Sequence, residues 1–168
     1  MDKLSLTVRP ADTGELECVV GLYNAAAHWM LQQGIEQWSY PITDSFRARL
    51  AGAISQSDVY LAWRAGETEP VGVFRLEWAP NALWEAFTGE AGYLYSLAVH
   101  PRARGQGVGA ELVSWAEAHV RRRGCSYLRL DCKASSGSLR RYYSVLGFDF
   151  RGEASADGFR GARFEKEL

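Results

Sequence analysis

The chain has 168 residues, 47% hydrophobic and 23% charged, with a formal net charge of −1. That length suits one domain, residues 1–168, large enough to bury its own core without disulfide staples. It holds no apolar run long enough to span a bilayer and no signal-peptide pattern at its start; Cys18, Cys125 and Cys132 stand at no metal-ligand spacing, so reduced thiols, a cytoplasmic location and no bound metal are expected.

In chain order, Leu4 to Arg9 alternates and ends at Pro10, which predicts a first strand. A helix is expected from about Thr13 to Gln33, stopped by Gly34, with the apolar stripe Leu16, Val19, Val20, Tyr23, Ala27 and Met30. Trp29 lies roughly 140° off that stripe at about 100° per residue. It therefore packs outside the main core, against Trp38 or against a ligand. A short loop leads to a second helix capped near Thr43 or Asp44, and Val59–Arg64 with Val71–Trp78 reads as a hairpin. A strand follows from about Gly92 to His100, then a helix from Gly107 to Arg123 with His119 on its apolar face. Tyr127–Cys132 reads as a strand, Ser136–Leu146 as a helix closed by Gly147, and Phe148–Phe150 and Ala162–Glu167 as final strands. Strands with interspersed helices predict an α/β (α+β) domain with a mixed sheet.

Charge is uneven along this order. Residues 1–99 carry 6 basic and 12 acidic side chains, whereas residues 100–151 carry 10 and 4. The basic stretch contains the segment Leu97-Ala-Val-His-Pro-Arg-Ala-Arg-Gly-Gln-Gly-Val-Gly-Ala110, an apolar strand that runs through three alternating glycines into a helix. Such a turn aims bare backbone N–H groups and the positive end of a helix dipole at one place, beside arginines, and so suits phosphate. The P-loop string is absent. Gly105 to Ala110 matches the dinucleotide pattern Gly-x-Gly-x-x-Gly/Ala, with Asp131 at a later strand end, which leaves a nucleotide-dependent oxidoreductase as one alternative. Against it, Pro101–Arg104 separates the strand from the first glycine, and too little chain follows for a doubly wound sheet.

Arg104-Gly-Gln-Gly107-Val-Gly109 has the form Arg/Gln-x-x-Gly-x-Gly/Ala, and Leu139-Arg-Arg-Tyr-Tyr-Ser-Val-Leu-Gly-Phe148 ends in Tyr-x-x-x-Gly-Phe. In order and spacing these resemble the acetyl-CoA-binding and following helix motifs of GNAT-family N-acetyltransferases over about residues 92–150. The resemblance implies a GNAT fold, a mixed central sheet of about seven strands flanked by about four helices. It implies acetyl-CoA as cosubstrate, held by Leu97, Ala98 and Val99 along the pantetheine arm, by Arg104, Gly105, Gln106, Gly107, Val108, Gly109 and Ala110 at the pyrophosphate, and by Ser136, where the family often has asparagine. Val99 would direct its N–H at the thioester carbonyl. Arg102 is either a further phosphate ligand or a solvated arginine.

The same resemblance makes Tyr143 the general acid, the alternative being a core aromatic, and Asp131 a candidate base; Glu36 and Glu77, from the acidic half of the chain, are other candidates and a water chain a further route. Asp131 is equally explained as a strand-end carboxylate paired with Arg129 or Lys133. Cys132, beside Asp131, has no setting for a nucleophile, so direct transfer is expected. Trp29, Glu36, Trp38, Glu77 and Trp78, with Trp84, make an aromatic and acidic set suited to a cationic amine, or else a satellite hydrophobic cluster. The expected partner is a small-molecule or peptide amine, not nucleic acid or a membrane, and dimers are frequent in the family. A non-catalytic acyl-CoA-binding module is the other alternative.

Overall fold

The computed structural model describes residues 5–168; Met1–Leu4, which include the expected beginning of the first strand at Leu4, lie outside the described residues. The elements are β1 (Leu6–Pro10), α1 (Leu16–Gln32), α2 (Asp44–Ser55), β2 (Val59–Arg64), β3 (Gly72–Glu77), β4 (Ala91–Val99), α3 (Val108–Arg122), β5 (Tyr127–Lys133), α4 (Gly137–Val145), β6 (Asp149–Ala156) and β7 (Phe159–Glu167). The strands form one sheet in the order β1-β2-β3-β4-β5-β7-β6. β4 and β5 are parallel, while β1–β2, β2–β3, β5–β7 and β6–β7 are antiparallel. This is the expected mixed seven-stranded sheet with four helices, and its antiparallel pairs rule out the doubly wound parallel sheet of a dinucleotide domain.

The residues sort into two compact units, one running to Arg75 and including Ser96–Val113, the other Leu76–Tyr95 with Ser114–Leu168. In the first, local chemistry sets the helix ends. The Asp12 N–H donates to the Glu15 carboxylate at 2.8 Å ahead of α1, and Arg9 grips both Glu15 oxygens at 2.8 and 2.9 Å. That guanidinium holds the Glu15 carboxyl down at about 2. Thr43 caps α2, its hydroxyl accepting from the Phe46 N–H at 3.1 Å. The core here joins Val19, Tyr23 and Met30 of α1 to Leu50 of α2 and to Leu61 and Val73 of the sheet. α3 lies close on β3: a Cβ added to Gly72 would stand 2.6 Å from Leu112 Cδ1.

The second unit is built on β5, which pairs with β4 from Ala91↔Tyr127 to Leu94↔Leu130 and with β7 along its whole length. Arg129 of β5 is buried and donates to Glu165 at 2.7 Å, to Tyr93 Oη at 3.2 Å and to the Gly89 and Thr88 carbonyls. Trp84 is fully buried with Leu83, Tyr93 and Tyr95. The last two strands are longer than the expected Phe148–Phe150 and Ala162–Glu167. They join through Asp157 and Gly158, both at positive φ (50° and 78°), the two-residue turn that suits twisted antiparallel strands. Gly152, at φ 83°, marks the register shift between Phe150 and Glu153 that hid β6 from its pattern.

Candidate active site

After β4 the chain makes a tight turn at Pro101–Ala103, with the His100 Nδ1 accepting from the Arg102 N–H at 3.1 Å. Gly105 and Gly107 then adopt φ of 72° and 81°, a left-handed conformation that only glycine holds without strain. A Cβ at either position would meet nothing within 4 Å, so the loop faces open space. The Glu111 N–H donates to the Gly107 carbonyl at 3.1 Å, closing the first turn of α3. The amides of Val108, Gly109 and Ala110 precede that bond and point out of the helix N-terminus. An anion such as a pyrophosphate fits this cradle.

The loop is braced by side chains of its own unit. Gln106 accepts from Arg64 and donates to the Arg102 carbonyl at 3.1 Å. Arg102 is engaged by the β2–β3 connection, with Glu67 at 3.3 Å and the Glu69 and Pro70 carbonyls at 3.0 and 3.1 Å. All of these bonds come from Nη2, so it is not a simply solvated arginine. Arg64 was not legible as part of the loop, because its partner lies 42 residues away. Arg104 stacks on Trp29, its guanidinium carbon 3.6 Å from the ring centroid. Trp29 also packs, with Trp38, against the core cluster of this unit, which corrects the expectation that it lies outside the core: a side chain off the helix stripe still reaches the cluster from its edge. Trp38 instead meets Tyr23 edge-on at 5.6 Å, and Glu36 is exposed in the loop that carries it. Along β4, Ala98 is buried while Leu97 and Val99 are half-buried.

In the second unit, Asp131 is half-buried and accepts from the Asn81 amide at 3.3 Å. Asn81 also donates its backbone N–H to Tyr95 Oη at 3.3 Å and accepts from the Leu83 N–H at 2.9 Å. Burial, and then the charge of Asp131, pushes the Tyr95 hydroxyl up. Arg129, one of the expected ion-pair partners of Asp131, bonds Glu165 instead. Asn81 and Tyr95 were missed by sequence reasoning; the Pro80-Asn81 pair signals a turn, but nothing in it signals a carboxylate partner.

Tyr143 is buried, with the rings of Tyr142, Phe148 and Phe164 at 5.3, 5.9 and 6.1 Å. Burial raises its hydroxyl pKa, with smaller contributions from Tyr142, Cys132 and Asp131. The phenol is therefore held protonated, which suits a proton donor and not a base. Burial, and secondarily Asp131, pushes the Cys132 thiol up to about 11. Ser136 caps α4, its hydroxyl 3.4 Å from the Leu139 N–H. Trp78 lies under Arg123, 4.0 Å from its ring, and 6.0 Å from His119 at the last turns of α3, while Glu77 is half-buried beside it. Trp84 belongs to the core, so the expected aromatic set loses that member. His119 stacks on Trp115 at 4.8 Å as a packed histidine. Among the described residues no group of three or more His, Cys, Asp or Glu side chains is arranged to hold a metal, and no helix is long and apolar enough to cross a membrane.

Comparison with known proteins gives a consistent picture. Residues 23–148 match the model of the acetyltransferase (GNAT) family. An uncharacterized N-acetyltransferase of Bacillus subtilis (strain 168), YesJ, is 32% identical over 95% of this chain and 88% of its own. Among solved structures, a GNAT-family acetyltransferase from Listeria monocytogenes 4b F2365 is 24% identical with a TM-score of 0.82, covering 98% of this chain and 96% of that one. The PaiA N-acetyltransferase of Thermoplasma acidophilum, solved with coenzyme A, is 16% identical with a TM-score of 0.70 over 98% of this chain and 100% of its own.

Proposed function

The chain belongs to the acetyltransferase (GNAT) family and is an N-acetyltransferase, and on that premise we propose that it works as a single domain moving acetyl from acetyl-CoA directly to a primary amine. The observation that carries the donor is the glycine loop, whose left-handed Gly105 and Gly107 open the first amides of α3 to an anion. Acetyl-CoA, when bound, would supply the thioester. In this reading the backbone of Leu97–Val99 and the amides of residues 105–110 hold it, with the Val99 N–H polarising the reacting carbonyl. Asp131, oriented by Asn81, takes the ammonium proton directly or through water so that the nitrogen lone pair attacks. As the carbon–sulfur bond breaks, Tyr143, protonated at neutral pH, gives its phenolic proton to the departing thiolate.

No nucleophile is needed on the protein, in keeping with the high pKa of Cys132. The acceptor is read as a small-molecule or peptide amine. Tyr143→Phe is the direct test of the acid: turnover at neutral pH should fall about a hundredfold while coenzyme A binding is kept. Unchanged turnover in a folded variant removes Tyr143 from the mechanism.

A further inference from the structure

We infer that Tyr23 of α1 is a positioning residue that fixes the course of Leu97–Val99, an inference that rests on the reading of those residues as part of the coenzyme A site. Ser96 stands at φ 52° within β4, a left-handed conformation that serine keeps only under constraint. A hydrogen bond from outside the sheet holds it there: the Tyr23 hydroxyl donates to the Ser96 carbonyl at 2.7 Å. A strand carbonyl ordinarily belongs to a ladder. This one is bonded to a helix, two residues beyond Leu94, where the pairing of β4 with β5 ends, while β3 flanks β4 on its other side.

Tyr23 is itself immobilised. It is fully buried, and Trp38 and Phe46 meet its ring edge-on at 5.6 and 5.2 Å. Burial keeps its hydroxyl protonated and so always a donor. At the far end of the segment the His100 N–H donates to the Val71 carbonyl at 2.8 Å, and Ala98 is buried between. Leu97–Val99 thus carries a tie at each end, and the one from α1 at Ser96 is a phenolic oxygen that has no other role in the mechanism.

Tyr23→Phe keeps the ring contacts and removes the hydroxyl. Amide hydrogen exchange at Leu97–Val99 should then quicken by about tenfold, and coenzyme A, titrated calorimetrically, should bind several-fold more weakly. Ser96→Gly in the same background holds the left-handed turn without help and should bring both readouts back toward wild type. A merely structural tyrosine would lower the unfolding temperature yet leave exchange at Leu97–Val99 and coenzyme A affinity as they were, and that result overturns the inference. If the wild type itself fails to bind coenzyme A, the cofactor reading falls, and the exchange rates alone decide for or against the role of Tyr23.

Discussion

The guanidinium of Arg104 lies face-on over the indole of Trp29, 3.6 Å from the ring centroid, so that the first residue of the glycine-loop motif is carried by a residue of α1. Stacking of this kind is worth about 0.5–1 kcal/mol at an exposed site. It also sets where the guanidinium stands before any ligand arrives. Trp29, which sequence reasoning assigns to the acceptor, is therefore expected to act on the donor. Trp29→Leu should raise the KM for acetyl-CoA about two- to fivefold and leave the KM for the amine within error, with Trp29→Phe in between. Steady-state kinetics with each substrate varied separately decides this; a change confined to the amine KM returns Trp29 to the acceptor.

Gly107 has open space around its absent Cβ but a φ of 81°. Gly107→Ala therefore costs left-handed strain of roughly 1–2 kcal/mol and projects a methyl group toward the anion cradle. Calorimetric titration should show coenzyme A binding weakened by at least about tenfold, with only a modest fall in unfolding temperature.

The carboxyl of Glu15, lowered to about 2 by Arg9, links stability to pH. Its folded value lies below the unfolded one, so its contribution is present above about pH 4.5 and is lost as the pH falls toward 2. The pair is largely exposed, so solvent screening reduces the effect to about 1 kcal/mol. Denaturant unfolding of Glu15→Gln should show a deficit of that size at pH 7 that vanishes near pH 2.

Cys132, with its thiol near 11, should carry about one part in ten thousand of thiolate at pH 7. Iodoacetamide should label it slowly in the native protein, and Cys132→Ala should retain turnover within about twofold. An acetylated Cys132 trapped by rapid quench would contradict direct transfer.

Much of this was legible because it is local. Thr43 and Gly34 mark helix ends through bonds and conformations within a few residues, and the motif from Arg104 to Gly109 reads directly as a turn into a helix. The extent of β6 was not, because Gly152 and Gly161 interrupt its alternation and that of β7, although Asp157-Gly158 carries the signal of a tight hairpin. The partner of Trp29 was not legible either: helical periodicity shows that its side chain leaves the stripe, but only the tertiary fold supplies Arg104. Tyr23 is legible as core, yet its acceptor exists only because Ser96 turns left-handed, which no composition or spacing encodes. Asn81 is the same case, since its contact with Asp131 spans 50 residues.

The most direct test of the central claim is coenzyme A release from acetyl-CoA, followed as free thiol at neutral pH across a panel of small-molecule and peptide primary amines. The account predicts thiol release that depends on both protein and amine and falls sharply in Tyr143→Phe. Coenzyme A bound by the wild type with no amine-dependent thiol release from any member of the panel would contradict it.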